Sequence, residues 1–307
     1  MRIAWLFLIC IPMANAEIYR HPGSTTPLPH EKYIHVVSEA DSPIQQTYIK
    51  SKDGVYVAAA IRKPKGDGRY PAIIIFHGAP GGRGMEQLVG WSRGDWGGPV
   101  WERFLQEGYV VAVADYRGGN MNVMSKASTE GIVTSIDDGL AVIDYVKALP
   151  YVDPARINLY GVSLGGNLVM NLVSRSPVHA AIVGAPAVMW FLGMQMPPPG
   201  SAPNPDLFKN LKPDPDISRK NIEPIRTPIL ILVGTEDRLM PMAITLHDAL
   251  ASAGKTVRLD IYEGGYHDFC LGPQGQKRPD LKQGEALYDS ALDALEKSVA
   301  FAADKLK

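Results

Sequence analysis

Ser163 stands at the centre of Gly161-Val162-Ser163-Leu164-Gly165, with Gly166 directly behind it. The apolar run Ile157-Asn158-Leu159-Tyr160 precedes the pentapeptide, and the amphipathic run Leu168-Val169-Met170-Asn171-Leu172-Val173 follows. Strand, tight turn and helix form the context in which the serine of G-x-S-x-G serves as a nucleophile. A serine hydroxyl is a weak nucleophile at neutral pH, so it must be held on a strained turn within reach of a base. Glycines two before and two after let the strand and helix backbones approach without a Cβ clash. A glycine-rich loop whose serine merely caps the helix fits the same pentapeptide.

A base and an acid are available downstream. Pro228-Ile229-Leu230-Ile231-Leu232-Val233 reads as a buried strand and ends in Gly234-Thr235-Glu236-Asp237-Arg238-Leu239-Met240-Pro241. Val257-Arg258-Leu259-Asp260-Ile261-Tyr262 alternates as a strand does and runs into Glu263-Gly264-Gly265-Tyr266-His267-Asp268-Phe269. Asp237 and His267 thus fall just past the C-terminal ends of predicted strands, where open α/β sheets place their sites. Glu236 and Asp268 are rival acids. His77 on an earlier loop, His179 before a strand and His247 inside a predicted helix are weaker bases. Cys270, three residues from His267, reads as a buried small hydrophobe, because its surroundings match no cysteine-hydrolase signature.

The elements that position these groups come from a chain of 307 residues, 46% hydrophobic and 21% charged, enough for one large α/β domain with a full core. A formal charge of -1 provides no basic field for nucleic acid. Residues 1–16 have the makeup of a signal peptide: Arg2, an apolar stretch over 3–13, and Ala14-Asn15-Ala16 as a small-x-small cleavage site. Eleven apolar residues are too few to span a bilayer, and Ile9 before Cys10 is not the small residue a lipoprotein signal needs. The expected product is exported, periplasmic or extracellular, without a stable membrane anchor. With Cys10 removed, Cys270 has no intramolecular disulfide partner.

Residues 17–44 read as an N-terminal extension, with 17–33 wrapping irregularly over the surface, and 45–307 as the catalytic domain. Strands are expected at 33–37, 46–50, 56–61, 72–76, 110–114 and 180–183, with Lys52-Asp53-Gly54 as a hairpin turn. Helices are expected at 100–106, 135–149, 241–253 and 283–306. Eight of the 25 prolines lie between Pro197 and Pro224, which excludes a continuous helix or central strand there. The irregular region 188–224 is a candidate lid, with Met189, Trp190, Phe191, Met194 and Met196 as its roof, or else a plain surface excursion. Trp91, Trp96 and Trp101, near Arg83 and Arg93, either line the substrate mouth or pack as core. Gly78-Ala79-Pro80-Gly81-Gly82-Arg83-Gly84 lacks the Gly-Lys-Ser/Thr ending of a phosphate loop. With no H-E-x-x-H and no paired cysteines, neither a metal nor any other cofactor is implied.

Phe76-His77-Gly78-Ala79-Pro80, Asp115-Tyr116-Arg117-Gly118, Gly161 to Gly166 and the Asp237 and His267 segments together carry a family likeness. The chain resembles the α/β-hydrolase superfamily, and within it the catalytic domain of the prolyl oligopeptidase family and the dienelactone-hydrolase-like esterases. The resemblance implies a mostly parallel central sheet with helices on both faces and a short Pro-rich lid-like insertion. It implies Ser163 as nucleophile, His267 as general base, Asp237 as orienting acid, and the N–H groups of Leu164 and Ala79 as oxyanion donors. The family usually has glycine where this chain has Ala79.

The expected activity is hydrolysis of carboxylic esters through an acyl-serine intermediate. The stretch before the hydrolase strands is too short for a propeller, whose single blade takes about 40 to 45 residues. A peptidase or amidase acting on short peptides or acyl-amino acid derivatives is the alternative, and a non-catalytic binder on the same scaffold is the third. The partner is thus a small-molecule ester or short peptide; oligomeric state is left open.

Overall fold

The computed structural model describes residues 16–21, 37–93, 98–118, 126–195, 204, 206–272 and 284–304. Among these residues nine strands form one sheet: β1 (Ala16–His21), β2 (Gln45–Lys50), β3 (Tyr56–Arg62), β4 (Tyr70–Phe76), β5 (Val110–Ala114), β6 (Val152–Val162), β7 (Ala180–Gly184), β8 (Ile229–Gly234) and β9 (Val257–Tyr262). Their order is β1-β9-β8-β7-β6-β4-β5-β3-β2. Only the β2–β3 and β3–β5 pairs are antiparallel. The helices are α1 (Met85–Ser92), α2 (Gly98–Gln106), α3 (Lys126–Ala148), α4 (Leu164–Val173), α5 (Leu207–Asn210), α6 (Pro215–Ile222), α7 (Met240–Ser252) and α8 (Gly284–Ala302).

Strands β5, β7 and β8 and residues 72–76 of β4 are apolar without interruption because both of their faces are covered. Alternate residues of β4 go to opposite layers: Ala72, Ile74 and Phe76 pack with α3, α4 and α7, while Ile73 and Ile75 pack with α1, α2 and α8. All five are 0 to 1% exposed. Parallel strands joined by crossovers on both faces leave the C-terminal ends of β4, β6, β8 and β9 along one rim, with the loops after them side by side.

Two regions depart from expectation and one helix was not anticipated. Ala16–His21 is a strand rather than an irregular wrap, paired in parallel with β9 from Ala16↔Val257 to His21↔Tyr262. The guanidinium of Arg258 lies over the Tyr19 ring at 4.0 Å and fastens it. Residues 85–92, to which the sequence assigned no element, form α1. Within 188–224 the chain makes α5 and α6, and the proline that bars a long helix starts the second: Pro215 opens α6 while the Asp214 carboxylate accepts from the Asp216 and Ile217 N–H groups at 3.0 and 2.9 Å. The strand expected at 33–37 falls outside the described residues except for Val37.

A buried ion pair ties the chain ahead of β2 to the helices beneath. Arg62 meets Glu102 of α2 at 2.6 Å and donates to the carbonyls of Val37, Ser42 and Ser92. Glu102 in turn accepts from the Val37 N–H at 2.7 Å. Both charges are spent on named partners, which is the condition for burying them.

Candidate active site

Ser163 joins β6 to α4 with φ 56 and ψ -115, one of three described non-glycine residues with positive φ. Such a backbone costs on the order of 1 to 3 kcal/mol and persists only where the surroundings over-determine it. Here the Ser163 N–H donates to the Gly184 carbonyl and the Ala187 N–H donates to the Ser163 carbonyl, both at 2.9 Å. The flanking glycines are needed for contact, since a Cβ on Gly161 would lie 2.3 Å from the Gly165 carbonyl oxygen and one on Gly165 would lie 2.1 Å from that of Phe76. The Ser163 side chain makes no capping hydrogen bond to α4. The capping role that the pentapeptide alone leaves open is therefore not what this serine does.

On the loop after β9, the His267 Nδ1–H donates to Asp237 Oδ2 at 2.9 Å. The other oxygen of Asp237 accepts from the Leu239 N–H at 2.8 Å, which orients the carboxylate. Asp237 is closed to solvent while the His267 side chain is 42% exposed, leaving the far side of the ring accessible. Burial pulls the His267 pKa down, but the hydrogen bond and charge of Asp237, helped by Asp268, outweigh it and leave the pKa raised. The loops that carry Asp237 and His267 are stitched together: Glu236 N–H donates to the Gly265 carbonyl at 3.0 Å, and Gly264 N–H to Thr235 Oγ1 at 2.9 Å.

Of the candidate acids, Asp237 is the one hydrogen-bonded to the ring; Glu236 is exposed. The other histidines are engaged elsewhere. His77 Nε2 faces Asp115 at 3.1 Å and its Nδ1 faces the Gly78 carbonyl at 2.7 Å. His179 pairs with Asp304 and His247 with Asp248. Cys270 is buried and burial pushes its thiol far up, so no thiolate is on offer.

The loop after β4 runs alongside. Gly78 approaches Ser163, since a Cβ there would lie 3.5 Å from the Ser163 Cβ. Ala79 is not among the residues with positive φ, so alanine sits where the family usually has glycine without backbone strain. Leu164 is the first residue of α4, and its N–H has no carbonyl a turn earlier to bond. The rest of this loop is held by Asp115, whose carboxylate accepts from the N–H groups of Gly82, Gly84 and Tyr116 at 3.0, 2.8 and 2.8 Å, besides facing His77. Burial alone would lift this carboxyl, but those bonds, that from His77 foremost, hold it down at about 2. Gly81 and Gly82 donate to the carbonyls of Gly118 and Tyr116 at 3.0 and 2.9 Å. Arg117 braces this second loop through Asp138 and Asp53. These supporting roles were missed from sequence, where Asp115-Tyr116-Arg117-Gly118 signalled kinship only.

The aromatic and thioether residues expected to line the substrate mouth are placed differently. Met189 and Phe191 are 2% and 0% exposed and belong to the main core with Leu192 and Met194, so they do not roof a pocket. Large apolar side chains following β7 are simply drawn under the sheet's helices. Trp190 is partly exposed. Trp91 is buried, tilted against His77 at 5.2 Å, with Arg83 over its ring. Trp96 and Met196 lie outside the described residues. Among the described residues no cluster of three or more His, Cys, Asp or Glu is arranged to hold a metal, and no helix is long and apolar enough to cross a membrane.

Similarity to known proteins agrees with this architecture. Quorum-quenching protein AidA of Acinetobacter baumannii is 29% identical over 129 residues, which is 42% of this chain and 39% of AidA, so the match spans well under half of either protein. The Pyrobaculum calidifontis esterase superposes with a TM-score of 0.58 at 17% identity, covering 86% of this chain and 87% of its own. The Pyrococcus horikoshii acylaminoacyl peptidase superposes with a TM-score of 0.58 at 18% identity, covering 87% of this chain and 42% of its own. Both share the α/β-hydrolase fold. The Dienelactone hydrolase family profile matches residues 57–291, well over half of the sequence, from β3 into α8. The chain is a hydrolase of α/β-hydrolase fold and belongs to the dienelactone hydrolase family.

Proposed function

We propose that this hydrolase cleaves carboxylic esters through an acyl-serine intermediate, with Ser163, His267 and Asp237 as its triad. Ser163 Oγ attacks the ester carbonyl carbon as its proton passes to His267 Nε2. The negative charge formed on the carbonyl oxygen is met by the Leu164 and Ala79 N–H groups. The C–O bond to the alcohol breaks, and His267 returns the proton to the leaving oxygen. Water then repeats the sequence on the acyl group and frees Ser163 as the acid departs. The observation that carries the proposal is the left-handed backbone of Ser163, a strained position with no capping duty. The test is hydrolysis of short p-nitrophenyl esters together with labelling by a fluorophosphonate. Ser163→Ala is expected to abolish both, and persistent ester turnover in that variant would overturn the triad.

A second substrate class is favoured by Asp115-Tyr116-Arg117-Gly118 and by the acylaminoacyl peptidase likeness. An amide differs in needing its leaving amine protonated, which His267 can also do. Matched p-nitrophenyl ester and aminoacyl p-nitroanilide substrates separate the two. Export is part of the same proposal. Cleavage after Ala16 would remove residues 1–16 and leave all but the first residue of β1 on the sheet edge. N-terminal sequencing of the protein from the medium or periplasm should begin at Glu17; a cell-retained chain beginning at Met1 would refute it.

A further inference from the structure

His267 is half exposed, so core packing does not hold its side chain in place. Its position depends on where its loop is anchored. The loop enters through the hydrogen bonds to the Thr235 hydroxyl and the Glu236 N–H described above, and leaves through the 3-10 turn Phe269–Leu271, whose three residues are fully buried. At that exit the Tyr160 hydroxyl donates to the Cys270 carbonyl at 2.5 Å. Tyr160 is itself fully buried, on β6 three residues ahead of Ser163. A second contact meets the same residue: a Cβ on Gly184 would lie 2.2 Å from Cys270 Sγ, so the sulfur occupies the space a side chain there would fill. Gly184, at the end of β7, is also the residue whose carbonyl takes the Ser163 N–H.

We infer that Tyr160, Gly184 and Cys270 form a strut that sets His267 against Ser163. Tyr160 and Gly184 each belong to the nucleophile's own support and each grips the residue three places after the base. Cys270 contributes volume and a carbonyl oxygen; its buried, protonated thiol takes no chemical part. Tyr160 and Gly184 are positioning residues that act through Cys270, and the inference rests on His267 being the base for Ser163.

The test begins with Gly184→Ala, assayed on a short p-nitrophenyl ester with active serine counted by fluorophosphonate. The added methyl must displace Cys270 Sγ and with it the His267 loop. A shift of the order of 1 Å is expected to lower kcat about 100-fold while KM changes little. Adding Cys270→Ala removes the sulfur and leaves a Cβ 3.4 Å from the new methyl, an ordinary contact. The double variant, referred to Cys270→Ala alone, is expected to recover kcat to within about 5-fold. Rescue by removal of one particular atom would not follow from general destabilisation. Tyr160→Phe, which keeps the ring and deletes the hydroxyl, is expected to lower kcat about 10-fold at constant KM. Normal kcat in Gly184→Ala, or a loss that Cys270→Ala leaves untouched, overturns the strut. Should Gly184→Ala not fold, normal kcat in Tyr160→Phe does so. Failure of the triad itself is distinguishable, because it appears as undiminished turnover in Ser163→Ala.

Discussion

The loops after β4 and after β9, which the proposed mechanism sets on either side of Ser163, are held in opposite ways. The loop of Gly78 to Gly84 is clamped along its length: one buried carboxylate takes two of its N–H groups and faces His77, and two carbonyls of the β5 loop take the N–H groups of Gly81 and Gly82. The loop of Glu263 to Asp268 is fixed at its ends, and its histidine stands half in solvent with one carboxylate behind it. The difference follows from the work proposed for each. Amides that receive a developing charge must be aimed beforehand, whereas an imidazole that carries a proton from one atom to another needs a fixed pivot and an open face.

If that contrast is right, the largest loss comes from the base itself. His267→Ala should reduce kcat by about 10⁵ to 10⁶, measured by ester turnover, with little change in melting temperature because the ring is not core. Asp237→Asn should cost about 10⁴ in kcat, since the pivot then presents the wrong tautomer. On the clamped side, Gly81→Ala forces a Cβ to within 2.4 Å of both the Gly118 and Tyr116 carbonyl oxygens; kcat should drop about 100- to 1,000-fold as one oxyanion donor is misaimed. A Gly81→Ala enzyme with full kcat would break the comparison.

The smaller effects are in pH. Asp115 is held at about 2, below the ordinary carboxylate value. Its contribution to stability is therefore complete above that ordinary value and is lost as pH falls toward 2, a change of about 2 kcal/mol. Acid unfolding of Asp115→Asn, followed by circular dichroism, should lack that component. His267 is raised, so kcat/KM should climb with pH through a midpoint above the ordinary histidine value, where the base becomes neutral. Asp237→Asn should move that midpoint down, and an unmoved midpoint would assign the titration to another group.

Much of the frame was legible beforehand because its signals are local. β4, β5 and β8 announce themselves as uninterrupted apolar runs, which only a sheet covered on both faces requires, and β9 as an alternating one. Asp237 follows an uninterrupted run, His267 follows the alternating one, and Ser163 follows Ile157-Asn158-Leu159-Tyr160 within its own glycine-flanked signal. What could not be read was pairing across distance. β1 lies in a stretch whose composition reads as leader and irregular chain, and its partner β9 is at the other end of the sequence. Met189 and Phe191 looked like a roof because apolar content alone does not separate core from pocket lining. The clamp by Asp115 was invisible for a similar reason: three of its four partners lie on the preceding loop, and spacing carries no record of which carboxylate will face which amide.

The placement of β1 has a bearing on how the molecule is completed. β1 is made before every other described strand and is the last of them to find its neighbour, because the row of hydrogen bonds it joins is not in existence until residues 257–262 have been made and have paired with β8. Until then the opening strand is an unpaired edge in waiting. The sheet is thus sealed on that side by the earliest made of its described strands, and closing so large a loop of chain sets a long-range step late in assembly.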